Sequence, residues 1–323
     1  TQELPDNIHD LVKSGVSINA CSLRQIATFG EALPGAPIGL RFNPGLGSGA
    51  TNRTNVGGPA SSFGIWHEHL EEAKALVARY ELKVFRIHTH IGSGSDPEVW
   101  KRASALSLRI AAEFPSVTHF NMGGGFKVAR MEGERATRLQ EIGPPIAGLL
   151  EEFSREHGRE LHMEIEPGTY LMANAGAVLS RVQDVVTTSA DGYTFLKLDC
   201  GMTEVLRPSL YGSQHPISIL QEVPSGNSQP AIVVGHCCES GDILTPAEGD
   251  PEALLPRELP VSQPGDLAVI SDTGAYCSAM SATNYNSFPQ AAEVLLHPDR
   301  SFSLIRRRQT LEQIVQNELD TGL

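Results

Sequence analysis

The stretch VFRIHTHIGSGSD at 84–96, followed by EVWKRASALSLRIAAEF at 98–114, contains one unit of the pattern that decides the fold. Its first part is a short apolar run that ends in His, Gly and Ser residues, which is typical of a buried β-strand. Its second part has the apolar spacing of an amphipathic helix. A strand followed by such a helix is the βα unit from which parallel sheets are built.

Similar units recur through the first half of the chain. Helical patterns occur at 9–15, 23–33 and 70–80, and strand-like runs occur at 16–20, 38–45, 119–126 and 162–171. Polar residues gather where the strands end, which favours a TIM-type (β/α)8 barrel over a doubly wound sheet and places the site at that end. We predict that residues 1–176 form a partial barrel of about five units.

The pattern changes from residue 177. Short runs rich in β-branched residues follow one another at 178–187, 193–201, 231–238, 266–276, 292–296 and 302–308. They are separated by turn residues, and the segment 221–230 reads as a loop. We predict an all-β domain over 177–323, a barrel or sandwich, with a short terminal helix.

Composition limits the classes of function. The 323 residues are 40% hydrophobic and 20% charged, as in a soluble globular protein of two domains, and no apolar run is long enough to cross a bilayer. The net charge of −13, with Arg306–Arg308 as the only basic run, argues against a nucleic-acid partner. Five scattered cysteines without zinc-site spacing predict no metal site and a reducing cytoplasm.

The chemistry gathers at the predicted strand ends. Three consecutive glycines, Gly123 to Gly125, would let backbone N–H groups approach a phosphate, or would form a tight turn. His88 and His90 alternate, so we expect them on one face of a strand, but no third metal ligand converges with them. Glu164 and Glu166 also alternate, and a buried carboxylate needs a cationic or hydrogen-bonding partner. The protonated ring nitrogen of a cofactor would serve.

Motifs from both halves together resemble a known family, the alanine-racemase-like (fold-type III) pyridoxal-phosphate decarboxylases, and within it the diaminopimelate decarboxylase branch. The motifs, in the family's order, are RFNPGLGSG, FGIW, HTHIGSGSD, NMGGGF, EIEPG, LRPSLYG, CESGD, GAYCSAMSATNYNSFPQAAEVL and IRRRQTLEQI. The resemblance implies a lyase with pyridoxal phosphate as cofactor that converts meso-diaminopimelate to L-lysine. It also implies a homodimer with shared active sites.

The resemblance assigns roles around the cofactor. His90 would stack on the pyridine ring, and Glu166 would pair with the pyridine nitrogen and keep it protonated. The implied contacts to the phosphate come from Ser93, Gly123, Gly124, Gly125, Gly168 and Tyr276.

It also assigns roles around the substrate. Cys238 of CESGD would return a proton after carbon dioxide leaves, and Glu239 would bind the distal amino group. Arg207 and Tyr211 of LRPSLYG would bind the distal carboxylate, for which a guanidinium offers planar, bidentate contacts. Thr169 stands where the family pattern has arginine, which leaves substrate choice less certain than family membership. The alternative substrates are other basic amino acids, namely ornithine, arginine, lysine or carboxynorspermidine.

The chain also departs from the family in its lysines. The family attaches the cofactor to a lysine on the first barrel strand, and none of the six lysines lies in such a stretch. We therefore expect this chain alone to be inactive, with the first three βα units lacking. Three explanations stay open: a longer parent chain, a partner chain that supplies the strands, or a non-catalytic homologue that binds a partner.

Overall fold

The computed structural model describes residues 3–48 and 56–321. The chain divides into two compact units. Unit 1 comprises Thr1–Val128 and Arg135–Tyr170, and unit 2 comprises Ala129–Glu134 and Leu171–Leu323. The predicted boundary between residues 176 and 177 remains a prediction.

Unit 1 alternates strands and helices. Its strands are β1 (Asn19–Ala20), β2 (Pro37–Asn43), β3 (Ile65–Trp66), β4 (Lys83–His88), β5 (His119–Asn121) and β6 (His162–Glu164). Its helices are α1 (Ile8–Lys13), α2 (Leu23–Ala32), α3 (Leu70–Arg79), α4 (Pro97–Ala112) and α5 (Leu139–His157), and α6 (Gly168–Met172) leads into unit 2.

The strands of unit 1 form one parallel sheet in the order β1-β2-β4-β5-β6, with β3 paired to β2. Leu40, Ile87 and Phe120 lie side by side on neighbouring strands, and all three are completely buried. Burial of three large apolar side chains in one row stabilises the sheet by several kcal/mol, at roughly 1.5–3 kcal/mol for each. The predicted repeat of βα units is confirmed.

Unit 2 is built mainly from antiparallel strands. They are β7 (Val178–Thr187), β8 (Thr194–Leu198), β9 (Ile217–Leu220), β10 (Ser228–Val234), β11 (Pro246–Ala247), β12 (Asp250–Leu254), β13 (Arg257–Pro260), β14 (Leu267–Ile270), β15 (Glu293–Leu296) and β16 (Phe302–Arg306). Two short helices accompany them, α7 (Arg207–Tyr211) and α8 (Leu311–Ile314).

Six strands of unit 2 form one sheet in the order β13-β10-β8-β7-β14-β9. The two end strands, β13 and β9, also contact each other, so the sheet is nearly closed around its core. A closed sheet leaves few unpaired strand edges. The strand pairs β11–β12 and β15–β16 are separate two-stranded sheets.

One expectation about local structure is wrong, and one helix is not among the predicted elements. The segment 221–230 is not entirely a loop, because β10 begins at Ser228, where its backbone pairs with β13. Helix α5 was not anticipated, because Pro144 and Pro145 lie inside it and proline disfavours a helix interior. Within the described ranges, every helix is too short or too polar to cross a membrane.

Candidate active site

Three strand ends of unit 1 bring the predicted cofactor residues together. His88, Asn121 and Glu164 are the last residues of β4, β5 and β6, and each lies opposite the next in the parallel register. The segments that follow carry His90, Gly123–Gly125 and Glu166. The C-terminal edge of a parallel sheet is where ligand sites of α/β folds form.

The three glycines fit between the neighbouring strand ends because they have no side chains. A Cβ on Gly123 would lie 2.5 Å from the Thr89 carbonyl oxygen, and a Cβ on Gly124 would lie 2.5 Å from that of Glu166. A Cβ on Gly125 would overlap the carbonyl oxygen of Gly92, and Gly123 and Gly125 also have positive φ angles of 71° and 102°. The glycine segment therefore sets how closely the three strand ends approach.

Asn121 joins both glutamates to the glycine segment. Its Nδ2 donates to Glu164 Oε2 at 3.2 Å and to Glu166 Oε1 at 3.1 Å, and its Oδ1 accepts from the Gly123 N–H at 2.7 Å. Arg86 binds Glu164 through two bonds of 2.6 and 2.9 Å. Glu164 is thus held by partners within the sheet, whereas half of the Glu166 side chain is exposed at 51% and available to a ligand.

The expectation that His88 and His90 share a face of one strand is wrong. β4 ends at His88, which is buried, and His90 lies in the following loop beside Gly124 and Gly125. Burial, then the charge of Arg41, lowers the pKa of His88 to about 3 and that of His90 to about 4. Both rings are therefore neutral, and the 3.5 Å contact from His88 Nε2 to Glu166 is not an ion pair.

The remaining predicted cofactor residues of unit 1 lie on loops at the same strand ends. Ser93 is in the loop after β4, between two bridge residues, Gly92 and Gly94. Gly168 begins α6, and a Cβ there would meet open space. Arg41 of β2 is a residue that the sequence did not single out, and its charge interacts with Glu166 and both histidines.

In unit 2, the CESGD motif forms a turn around a buried carboxylate. Asp242 is 2% exposed, and it accepts from the Met202 N–H at 2.7 Å and from the Cys237 N–H at 2.9 Å. Gly201 and Gly235 lie against the same carboxylate, where a Cβ would overlap it. Asp242 thereby fixes the turn that carries Cys238.

The adjacent cysteines have different surroundings. Strand β10 ends at Val234, so both lie in the turn and neither is in an extended run. Cys238 is exposed, and its N–H donates to Asn286 Oδ1 at 2.8 Å. Burial, then the negative charge of Asp242, raises the pKa of Cys237 to about 12, which makes it an unreactive thiol. Of the two thiols, that of Cys238 is the more exposed.

An open cavity of about 660 Å³ lies beside this turn within unit 2. Its walls include His236, Cys237 and Glu239. The His236 ring stacks on Phe288 at 3.6 Å between centroids, and its Nε2 lies 2.7 Å from Thr203 Oγ1. Glu239 is exposed and accepts from the Gly241 N–H through Oε1 at 2.9 Å.

Arg207 and Tyr211 are one turn apart in α7. Arg207 Nη1 donates to His215 Nε2 at 3.0 Å, and Tyr211 Oη donates to Met280 Sδ at 3.8 Å. His215 is completely buried and its Nδ1–H donates to the Ser271 carbonyl oxygen at 3.0 Å. Burial, then the charge of Arg207, lowers its pKa to about 3, so His215 is neutral and can accept from Arg207.

Backbone conformations that non-glycine residues rarely adopt occur near these residues. Tyr276 is 58% exposed and has a φ of 57°, which is unusual for an aromatic residue. Asn286, which binds the Cys238 N–H, has a φ of 51°. Such conformations often occur at functional sites. The TNYNSF segment is part of a motif that carries the family resemblance, but nothing in its pattern points to Asn286 in particular.

Comparisons with known proteins identify the family of the chain. Residues 5–173 match the family described as pyridoxal-dependent decarboxylase, pyridoxal binding domain. The diaminopimelate decarboxylase of Streptomyces coelicolor is 36% identical over 318 residues, which are 97% of this chain and 70% of that protein.

Solved structures show the same similarity. A crystal structure of a diaminopimelate decarboxylase has a TM-score of 0.90 at 34% identity, and the alignment covers 99% of this chain and 76% of that one. The Helicobacter pylori diaminopimelate decarboxylase in complex with L-lysine has a TM-score of 0.81 at 28% identity, over 96% of this chain and 75% of that one. The predicted fold class, a TIM-type barrel followed by a β domain, is confirmed.

Replacing Gly124 by Ala tests the packing of the glycine segment. We expect Gly124→Ala to lower the free energy of unfolding by about 1–3 kcal/mol, because the new Cβ would press on the Glu166 carbonyl oxygen. Gly168→Ala is the matched control, since open space surrounds that position. Denaturant unfolding measures both, and equal effects of the two substitutions would contradict the packing role of Gly124.

We expect low pH to decrease the free energy of unfolding of unit 2 through His215. The unfolded residue titrates near 6.5 and the folded one near 3, so the unfolded state binds the extra proton between these values and stability falls as pH falls. The loss approaches about 1.4 kcal/mol per pH unit across this window. We expect His215→Gln to flatten this part of the stability profile, and His297→Gln, in the turn between β15 and β16, to leave the slope unchanged. An unaltered slope in His215→Gln would show that His215 does not titrate there.

Proposed function

Because the chain belongs to the pyridoxal-dependent decarboxylase family, we propose that it removes a carboxylate from meso-diaminopimelate and releases L-lysine, with pyridoxal phosphate as cofactor. The observation that carries this proposal is the extent of the similarity to diaminopimelate decarboxylases, which runs through both units. The proposed reaction makes the chain a carboxy-lyase of lysine biosynthesis.

The residues at the strand ends of unit 1 fit the cofactor. Asn121 binds the Gly123 N–H, whereas Gly124 and Gly125 have no side chains of their own that would shield their backbone N–H groups from a phosphate. Ser93 and Gly168 lie on neighbouring loops. The neutral ring of His90 lies beside the glycines and offers a flat face for stacking. When bound, pyridoxal phosphate would accept the electron pair that remains after carbon dioxide leaves.

Glu166 would hold a proton on the ring nitrogen of the cofactor. Its carboxylate is partly exposed and is oriented by Asn121 at 3.1 Å. A carboxylate beside the ring nitrogen favours the protonated form, which withdraws electrons more strongly. The neutral His88, 3.5 Å from Glu166, does not compete with that nitrogen for the negative charge.

Cys238 would donate the proton that replaces the lost carboxylate on the substrate. Its thiol is exposed, and the turn around Asp242 together with Asn286 fixes its backbone. Glu239 would bind the distal amino group of the substrate, and Arg207 with Tyr211 would bind the distal carboxylate. The bond between Cα and the carboxylate carbon breaks, carbon dioxide leaves, and a proton takes its place, so the reaction needs no oxidant.

We propose that the protein works as a homodimer in the cytoplasm. Cys238, Glu239 and Tyr276 are exposed on unit 2, so they are accessible to a second protomer that carries its own cofactor. In such a dimer, Tyr276 would contact the phosphate. The five cysteines have free thiols in the structure, which suits a reducing compartment.

The proton donor can be tested with the protein expressed from its complete coding sequence. We expect Cys238→Ala to lower the turnover of meso-diaminopimelate by about 100-fold or more, in the range of general acid catalysis, while pyridoxal phosphate absorbance persists. Cys237→Ala removes the neighbouring thiol and should retain most of the activity. Equal turnover in Cys238→Ala and the wild type would remove Cys238 from the mechanism.

The covalent attachment of the cofactor can be tested on the 323-residue chain itself. Lys83 begins β4, at the opposite end from the site, Lys74 and Lys197 form ion pairs, and Lys13 and Lys101 lie in helices. Lys127 follows the glycine segment. We expect no borohydride-stable attachment of pyridoxal phosphate to any of the six lysines. A mass shift on Lys127 or another lysine would show that this expectation is wrong.

A further inference from the structure

Three arginines of unit 2 lie near the buried His215 without a carboxylate partner. Arg207 Nη1 donates to its ring, Arg257 Nη1 donates to its carbonyl oxygen, and the charge of Arg130 lowers its pKa. Among the described residues, none of these arginines has a carboxylate oxygen within 4.0 Å. This is a concentration of positive charge in a chain whose net charge is −13.

Arg130 and Arg257 both have buried guanidinium nitrogens without an acceptor among the described residues, and Arg130 is the one whose pKa the charge of Arg207 lowers. The Nε of Arg130 donates to the Asp272 carbonyl oxygen at 3.3 Å, and Glu134 binds only its backbone N–H, at 2.7 Å. Its Nη2 is buried, and no acceptor in the described part of the chain lies within hydrogen-bond reach. A buried charged donor without an acceptor destabilises the fold unless a ligand supplies the acceptor.

Arg130 and Arg207 act on each other through their charges. Burial lowers the pKa of both guanidinium groups, and for Arg130, which falls to about 10, the positive charge of Arg207 is the second cause. Cys277 and Glu134 act in the opposite direction and raise the pKa of both arginines. Burial raises the pKa of the Cys277 thiol, which therefore stays neutral and adds no negative charge at neutral pH. Glu134 is thus the one carboxylate whose charge acts on both arginines, and Asp272 acts on Arg130 alone.

We propose that Arg130 is a substrate-binding residue, which joins Arg207 in an anion site for the distal carboxylate of the substrate. The unpartnered Nη2 of Arg130 supplies a donor, and Arg207 supplies a second guanidinium whose charge the same carboxylate neutralises. The neutral His215 positions Arg207 and does not compete for the anion. This inference rests on the proposed function, because the distal carboxylate is present in meso-diaminopimelate and is retained in L-lysine.

The test compares two ligands that differ by that one carboxylate. Binding of L-lysine and of cadaverine, which lacks that carboxylate, to the wild-type protein is measured by calorimetry, with pyridoxal phosphate bound and without. We expect Arg130→Gln to reduce the preference for L-lysine over cadaverine roughly tenfold or more, as for loss of a hydrogen bond to a charged group. Arg181→Gln is the matched control, because Arg181 is an exposed arginine of the same unit, on β7.

An unchanged preference in Arg130→Gln would overturn the inference. Should that variant fail to fold, Arg130→Lys keeps the charge but loses the forked donors, and a preference equal to that of the wild type would also overturn it. A wild-type protein that prefers L-lysine over cadaverine but releases no carbon dioxide from meso-diaminopimelate would contradict the proposed reaction and leave the anion site standing. Continued turnover of meso-diaminopimelate by Arg130→Gln, together with an unaltered ligand preference, would contradict the anion site and leave the proposed reaction standing.

Discussion

The parallel sheet of unit 1 depends on one steric constraint, the absence of side chains at Gly123–Gly125. The backbone there lies so close to the segments after β4 and β6 that a Cβ on any of the three would press on a neighbouring carbonyl oxygen. This close approach lets Asn121 reach both Glu164 and Glu166, and it brings the His90 ring against the glycines. The packing of the strand ends and the proposed binding of the cofactor therefore both require glycine in this segment.

Buried charge organises unit 2 in two different ways. Asp242 is buried with two backbone N–H partners, and that satisfied carboxylate fixes the turn bearing the exposed Cys238. The arginines near His215 are the opposite case, since their charges lack carboxylate partners among the described residues. A satisfied buried charge stabilises a conformation, whereas an unsatisfied one marks where a ligand of opposite charge would bind.

The sequence predicts the order of elements and which polar residues gather at the strand ends of unit 1, but not the contacts between distant residues. The βα repeat and the chemistry of Glu166 follow from local patterns, since strand ends and alternation are visible in the sequence. Helix α5 was missed because proline masks its periodicity, and His90 was placed on β4 because alternation does not show where a strand ends. Arg130 lies 77 positions before Arg207, and no local pattern relates two residues so far apart.

The proposed reaction replaces one carboxylate of meso-diaminopimelate by a proton. The most direct test of it is product analysis after reaction in D₂O, with pyridoxal phosphate and the protein expressed from its complete coding sequence. We expect one carbon dioxide per substrate consumed and L-lysine with a single deuterium on the carbon that lost the carboxylate. Failure to release carbon dioxide from meso-diaminopimelate, or faster release from ornithine, arginine or lysine, would contradict it.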